Sequence, residues 1–499
     1  MSKYRPLLLL SIFLFRCTVT RNYNPDKKYP KEKLQQDFSL LRNILEKKHP
    51  SLYWYTPKDS MDQNFERGLK LIDDSMTELQ FAWKVIAPLT HTIHCGHTSF
   101  SMSKEWDHFV KNKRIPSLPL YMKVWGDSMV ITANLNHKDS LLKQGTIVTG
   151  INGLRNHEMI QHMFQYLAED GYADNVNYIR LSANFPYFYR NIFGIFKNYS
   201  IQYIDSNGRE KRTIVPLFIP KLDSLHNKSS QGNGIKPRRP TRKERFENIR
   251  SLNLDSVNNL AIISLNSFSK GHLRKFFHKS FRLLRKSNIN NLAIDIMGNG
   301  GGEINNYVLL SKYIRNTPFK VADTATSIAK NLHPFSRYFK SGFINNLGLT
   351  FFTGRKKQGR YHFGFWERHT VEPKRRNHFS GNVYVLTNGL TFSASSLFCN
   401  SVKGQDNVKL VGEETGGGWY GNSGILIPDI ILPNTRIKVR LPLFRLVQYH
   451  HISVMGTGVK PDIFVPPTVW DIRNNVDRKM ETVKSLVRAS ELKISLLQK

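Results

Sequence analysis

Apolar residues near the start of the chain recur at helical spacing. Leu34, Phe38, Leu41 and Leu45 fall on one face of a helix predicted over about 31–48, and further helices follow over about 62–90. From about 117 to 217 the pattern shortens to that of strands. Met129–Thr132 and Thr146–Thr149 are strand-like, Gly150-Ile-Asn-Gly153 supplies turn chemistry, and one helix is expected around 156–168. Residues 225–250 are polar and basic, with Ser229-Ser-Gln-Gly-Asn-Gly234 and Pro237-Arg-Arg-Pro240, and are expected to be a linker or mobile loop. Strand and helix then alternate. Strands are predicted at Leu260–Ser264, Asn291–Ile296, Val383–Leu386 and Val408–Val411, and helices over 271–287, 304–314 and 394–403. Short apolar runs separated by amphipathic helices imply buried parallel strands with crossover helices. The last thirty residues are expected to form a helical tail, and no internal repeat is visible.

This pattern divides the chain into a leader over 1–20, an N-terminal helical region over 21–115, a β-rich module over 116–224, a basic linker over 225–250, an α/β core over 251–470 and a helical tail over 471–499. The leader rests on Lys3 and Arg5, followed by the apolar run Leu7–Phe15, which has the length of a signal-peptide core and is too short to span a bilayer. Cys17 follows at once and is a candidate lipid-attachment site, although Leu14-Phe15-Arg16 lacks the small residues that such processing prefers. The expectation is an exported protein of the cell envelope, either periplasmic, tethered to the outer membrane through Cys17, or secreted.

Composition changes the picture in one respect. Lys and Arg number 73 against 38 acidic residues, a net charge of +35. Such an excess favours an acidic or anionic surface partner, but it is spread along the chain, as a solvated surface would be. No nucleic-acid reading motif accompanies it, so no nucleic-acid partner is expected. With Cys17 set aside, Cys95 and Cys399 are too few for a disulfide framework and are expected to be buried thiols. No His/Cys/Asp cluster has metal-binding spacing, and Asn299-Gly-Gly-Gly302 lacks the Lys-Ser/Thr of a phosphate loop. Neither metal nor cofactor is expected.

Four segments carry the chemistry. Asp295-Ile-Met-Gly-Asn-Gly-Gly-Gly302 and Leu386-Thr-Asn-Gly-Leu-Thr-Phe-Ser-Ala-Ser-Ser396 each run from strand through turn to helix; Gly412-Glu-Glu-Thr-Gly-Gly-Gly418 and Gly458-Val-Lys-Pro-Asp-Ile463 follow. A serine at the start of a helix meets free backbone N–H groups and the positive end of the helix dipole, which favour developing negative charge. A glycine run lets a second backbone N–H approach, because no Cβ intervenes. An N-cap serine has the same local setting without any chemistry. In order and spacing the four segments resemble the C-terminal processing (tail-specific) peptidase family, strongest over 290–465.

That resemblance implies a Clp-protease/crotonase-type α/β core with an N-terminal helical region and a PDZ-like module, the latter through Gln144-Gly-Thr-Ile-Val-Thr-Gly-Ile-Asn-Gly153. It implies a serine-type endopeptidase acting on extended polypeptide, with Ser393 as nucleophile and the N–H groups of Gly302 and Ala394 as the oxyanion hole. Ser395 and Ser396 are the adjacent rivals. Many members use a lysine base in a Gly-Lys-Gly context, where this chain has Gly418. The base is therefore expected to follow the tricorn-like Ser-His branch, with His97 of Gly96-His97-Thr98 in that role and His94 as its neighbour. Such a base would make activity rise with pH through roughly 6–7. Cys95 lacks a glycine-rich oxyanion motif of its own. The branch's carboxylate falls in Ser453-Val-Met-Gly-Thr457, which has no acid, and Glu413 and Glu414 leave the third member unassigned. The missing lysine and missing acid support a second expectation, a weak or inactive member that binds peptide or ligand, as a retinoid-carrying relative of this fold does.

Overall fold

The computed structural model describes residues 23–220 (112 and 114 apart), 240–452 and 454–497. The expected leader and Cys17, and residues 225–239 of the expected linker, lie outside the described residues.

The centre is a six-stranded sheet in the order Arg250–Asp255, Leu260–Leu265, Asn291–Asp295, Asn382–Thr387, Val408–Gly412, Ile463–Phe464. The first pair is antiparallel and every other pair is parallel. The inner strands are apolar on both faces because both faces are covered. On one side lie the helices Leu273–Ser287, Ile304–Lys312 and Ala394–Val402, with Phe277, Phe281, Leu310 and Phe398 fully or almost fully buried among them. On the other, Val483 and Val487 of the C-terminal helix Arg478–Leu497 pack on Leu260, Ala293 and Leu386. Each such apolar side chain contributes about 1.5–3 kcal/mol relative to exposure. The helix Leu273–Ser287 shows how the sequence directs this. Leu273, Phe276, Phe277, Phe281 and Leu284 form one buried stripe, and the helix stops at Asn288, whose φ of 52° suits a left-handed C-terminal residue.

A second, antiparallel sheet has the order Lys356–Lys357, Arg360–His362, Ala322–Ser327, Phe444–Gln448, Gly421–Gly424. The N-terminal helices, Lys31–Lys48 foremost, share one apolar core with it. Phe100–Ser101 pairs with Lys438–Arg440, so the N-terminal region is stitched to a late part of the chain.

The middle module is a sheet of Leu120–Trp125, Ser128–Asn134, Ile147–Ile151, Asn198–Ile204 and Glu210–Pro216 with its own core. It holds three helices, Asn156–Phe164, Asn175–Ala183 and Phe185–Phe193, where the sequence pattern predicts one. The run Phe185–Phe193 is mostly aromatic, with Arg190 and Asn191 its only strongly polar side chains, too few to mark a helix period from the sequence. Gly150 and Ile151 belong to a strand, and the turn is confined to Asn152–Gly153. In the stretch expected to be linker, Arg242–Glu247 is a helix capped by Thr241 and Glu244.

Candidate active site

Three loops leave the C-terminal ends of adjacent parallel strands, the end at which open α/β sheets hold their sites. Asp295 leads to Gly300–Gly302, Thr387 to Ser393, and Gly412 to Gly416–Gly418.

Ser393 stands at the N-cap of the helix Ala394–Val402 with φ 56° and ψ −124°. A residue bearing a Cβ holds such a conformation only where its surroundings impose it. Phe392 N–H donates to the Asn299 carbonyl at 3.2 Å, Gly416 N–H to the Thr391 carbonyl at 3.1 Å, and Ser396 Oγ to that same carbonyl at 3.0 Å. From Thr391 to Val402, every residue except Ser393 is buried. The rivals Ser395 and Ser396 are wholly enclosed.

The glycine loop presses directly on this turn. Asn299 is buried, and its Oδ1 accepts from Gly301 N–H at 3.0 Å. A Cβ on Gly301, whose φ is 103°, would lie 2.7 Å from Ser393 Cβ and 3.0 Å from Ala394 N. Gly302 takes φ 143°, with the backbone of Phe268 and Ser269 against it. Its N–H and that of Ala394 have no acceptor among the described residues. The third loop closes the other side, a Cβ on Gly417 lying 3.0 Å from Ser393 N. Gly418 packs against the Gly421 carbonyl, where a side chain would meet backbone at 2.4 Å.

His97 arrives from the N-terminal region, on the loop after Ala87–His91. Its ring centre is 4.9 Å from that of Phe392, the residue before Ser393. A Cβ on Gly96 would lie 2.5 Å from the Phe392 ring. The loop is held by His49, whose Nδ1 accepts from Ser51 N–H at 3.1 Å, leaving Nε2–H to donate to Thr98 Oγ1 at 2.8 Å. Burial, with the positive charges of Arg440 and Arg180, lowers the His97 pKa to about 4, below the value near 6–7 expected of an ordinary imidazole. No hydrogen bond joins His97 to the Ser393 hydroxyl, and His97 Nδ1 is buried without a partner among the described residues. His94 is engaged elsewhere, with Nδ1 3.0 Å from Glu169 Oε1. Cys95 is a free buried thiol pushed up to about 12 by burial, and Cys399 is likewise free and buried.

The acids named in the sequence have other partners. Glu413 pairs with Lys479 at 2.5 Å, and Glu414 accepts from Gly458 N–H at 2.6 Å. Sequence reasoning does not single out Asp170. Contributed by the middle module and buried, it accepts from Gly96 N–H at 2.8 Å through one oxygen and from Gly418 N–H at 3.4 Å through the other. It thereby ties the His97 loop to the third glycine loop. Burial raises its carboxyl to about 7, against the two N–H donors and Arg180. The local signal, Glu169-Asp170-Gly171, is that of any acidic turn. Beside Ser393 opens a cavity of about 380 Å³ lined by Gly302, Trp366, Leu397, Ile425, Ile427 and Leu446 among others, with no lysine on its wall.

Residues 259–465 match the model of peptidase family S41. Among solved structures, mature CPAF is similar at 15% identity over 92% of this chain and 96% of that one, with a TM-score of 0.60. A serine-to-alanine mutant of CPAF gives 14% identity, coverage of 92% and 97%, and a TM-score of 0.62. Mature CPAF complexed with lactacystin gives 14%, 92%, 98% and 0.60. At these identities the likeness establishes the fold. No curated protein sequence matches the chain.

Proposed function

We propose, from the match of residues 259–465 to the model of peptidase family S41, that the chain is a member of that family and an exported serine endopeptidase that cleaves extended polypeptide with Ser393 as nucleophile and His97 as base. The observation that carries this reading is the Ser393 turn itself, a strained non-glycine residue that is partly exposed at a helix N-terminus and faces a glycine loop. A strand–turn–helix corner of this kind lifts a hydroxyl clear of its own backbone.

In this reading the Ser393 hydroxyl adds to the scissile carbonyl as its proton passes to the His97 imidazole. The N–H groups of Gly302 and Ala394 receive the oxyanion, an interaction worth about 2.7–4 kcal/mol per donor in comparable sites. His97 then returns the proton to the leaving amine, and water repeats the sequence on the acyl-enzyme. The apolar wall of Trp366, Leu397, Ile425 and Leu446 suits a hydrophobic side chain beside the scissile bond. Seating the substrate is expected to bring hydroxyl and imidazole to about 3 Å. The β-rich module, read as PDZ-like, would present the chain by strand addition.

His97 Nδ1 has no acceptor among the described residues, so the tautomer that leaves Nε2 free is held less firmly than in a complete triad. That favours a slow enzyme and supports a second reading, a member that binds peptide without cleaving it. A serine-directed fluorophosphonate separates the two. The peptidase reading expects one label per chain, on Ser393, and none in Ser393→Ala at an unchanged melting temperature. Absence of label from a folded wild type, or label retained in Ser393→Ala, overturns it.

A further inference from the structure

Between Asp323 and Glu367 the sequence has no acidic residue and seven cations, Lys330, Arg337, Lys340, Arg355, Lys356, Lys357 and Arg360. All but Arg360 are exposed, and none forms a salt bridge among the described residues. At the middle of this stretch lies the helix Gly342–Phe352, GFINNLGLTFF.

Its amphipathicity is reversed. The face turned to the protein carries one large apolar side chain, Leu349, beside small or polar residues. Gly342 and Leu349 are buried, Asn346 Oδ1 accepts from Leu332 N–H at 2.8 Å, and Thr353 Oγ1 donates back to the Leu349 carbonyl at 2.7 Å. The outer face is apolar, with Phe343 81% exposed, Ile344 69%, Leu347 48% and Phe351 76%. Phe365, 57% exposed, extends it. A contiguous apolar face of this kind on a water-soluble surface marks a site of interaction.

Charge identifies the occupant. A second copy of the chain would bring its own cations against these and its own net charge of +35 against the first. An anionic bilayer surface meets both requirements, with acyl chains for the rings and headgroups for Lys and Arg. The 11-residue helix is about 16 Å long, roughly half the thickness of a hydrocarbon core, and so lies in the interface and does not cross it. We propose that the helix Gly342–Phe352 and its flanking cations dock this protein on an anionic lipid surface, with Phe343, Ile344, Leu347 and Phe351 entering the headgroup boundary.

The patch is joined to the candidate active site. The Phe352 and Phe363 rings are 5.0 Å apart, Phe363 and Trp366 are 4.6 Å apart, and Trp366 lines the cavity at Ser393. Docking therefore places the mouth of that cavity beside the membrane.

The test is sedimentation of the full chain with phosphatidylcholine vesicles made with and without phosphatidylserine. Wild type is expected to bind the phosphatidylserine vesicles more tightly. Phe343→Asn/Ile344→Asn/Phe351→Asn should lower that binding at least about tenfold. Lys356→Glu/Lys357→Glu should lower it about tenfold on phosphatidylserine vesicles and leave phosphatidylcholine binding unchanged. Any contribution of residues 1–20 is common to all three chains and cancels. The proposal is overturned if wild type does not bind or if both variants bind as it does. It is equally overturned if the protein is a dimer without vesicles and the apolar variant a monomer, since a second copy then covers the face.

Discussion

Ser393 is the most constrained residue of the site. Its φ of 56° with ψ −124° stores on the order of 1–3 kcal/mol, and the structure around it supplies that energy. The strain aims the hydroxyl and leaves the Ala394 N–H open beside it. In the proposed mechanism His97 contributes through its environment. An imidazole held at about 4 is neutral across the physiological range and so available to accept a proton, but it is a weaker base than one poised near 7. Labelling of Ser393 by a phosphonate should therefore be nearly level between about pH 5.5 and 8 and fall as pH drops through about 4. The stability effect has the matching sign. The folded value lies below the unfolded 6.5, so the unfolded chain takes up a proton that the fold refuses, and stability is lost as pH falls from 6.5 toward 4. Labelling rate and melting midpoint against pH check both; a labelling midpoint near 6.5 would show His97 in contact with water.

At the scale of the element, the site depends on a glycine loop whose three members are not equivalent. Ala at position 301 would need φ 103° and would place a Cβ 2.7 Å from Ser393 Cβ and 2.8 Å from the Phe392 carbonyl. A methyl group on Gly300 would meet nothing within 4 Å, and its φ is not positive. Gly301→Ala should lose more than about 1 kcal/mol and all phosphonate labelling, while Gly300→Ala should match wild type in both. Melting temperature and labelling separate them. The sequence pattern marks the glycine run but cannot rank its members, because the ranking is set by a turn far along the chain. The same limit explains which elements are legible. Leu260–Leu265, Asn291–Asp295, Asn382–Thr387 and Val408–Gly412 announce themselves as apolar runs. Ala322–Ser327, with sequence ADTATS, and Gly421–Gly424, with GNSG, are strands of small polar residues. Their burial comes from the neighbours that cover them, not from their own hydrophobicity. The helix Gly342–Phe352 hides for the opposite reason, its apolar face being the one turned outward.

At the scale of the molecule, the site is assembled from three regions, and Asp170 is where they meet. The middle module supplies the carboxylate, the N-terminal region the Gly96 N–H and the core the Gly418 N–H. Asp170→Ala leaves two buried donors unpaired, and at about 1–3 kcal/mol each the fold should lose roughly 2–6 kcal/mol. Asp170→Asn keeps one acceptor and should lose about half as much, a difference that denaturant titration would resolve. Equal losses would mean that Asp170 acts through packing alone. No spacing in the sequence points to this residue, since its role exists only after distant segments have come together. The pairing of Phe100–Ser101 with Lys438–Arg440 carries the same dependence into time. A ribosome adds about 5–20 residues per second, so the strand that seats the His97 loop emerges tens of seconds after His97 itself. In the proposed mechanism, competence therefore awaits the pairing of an early segment with a late one and arrives as a single late event.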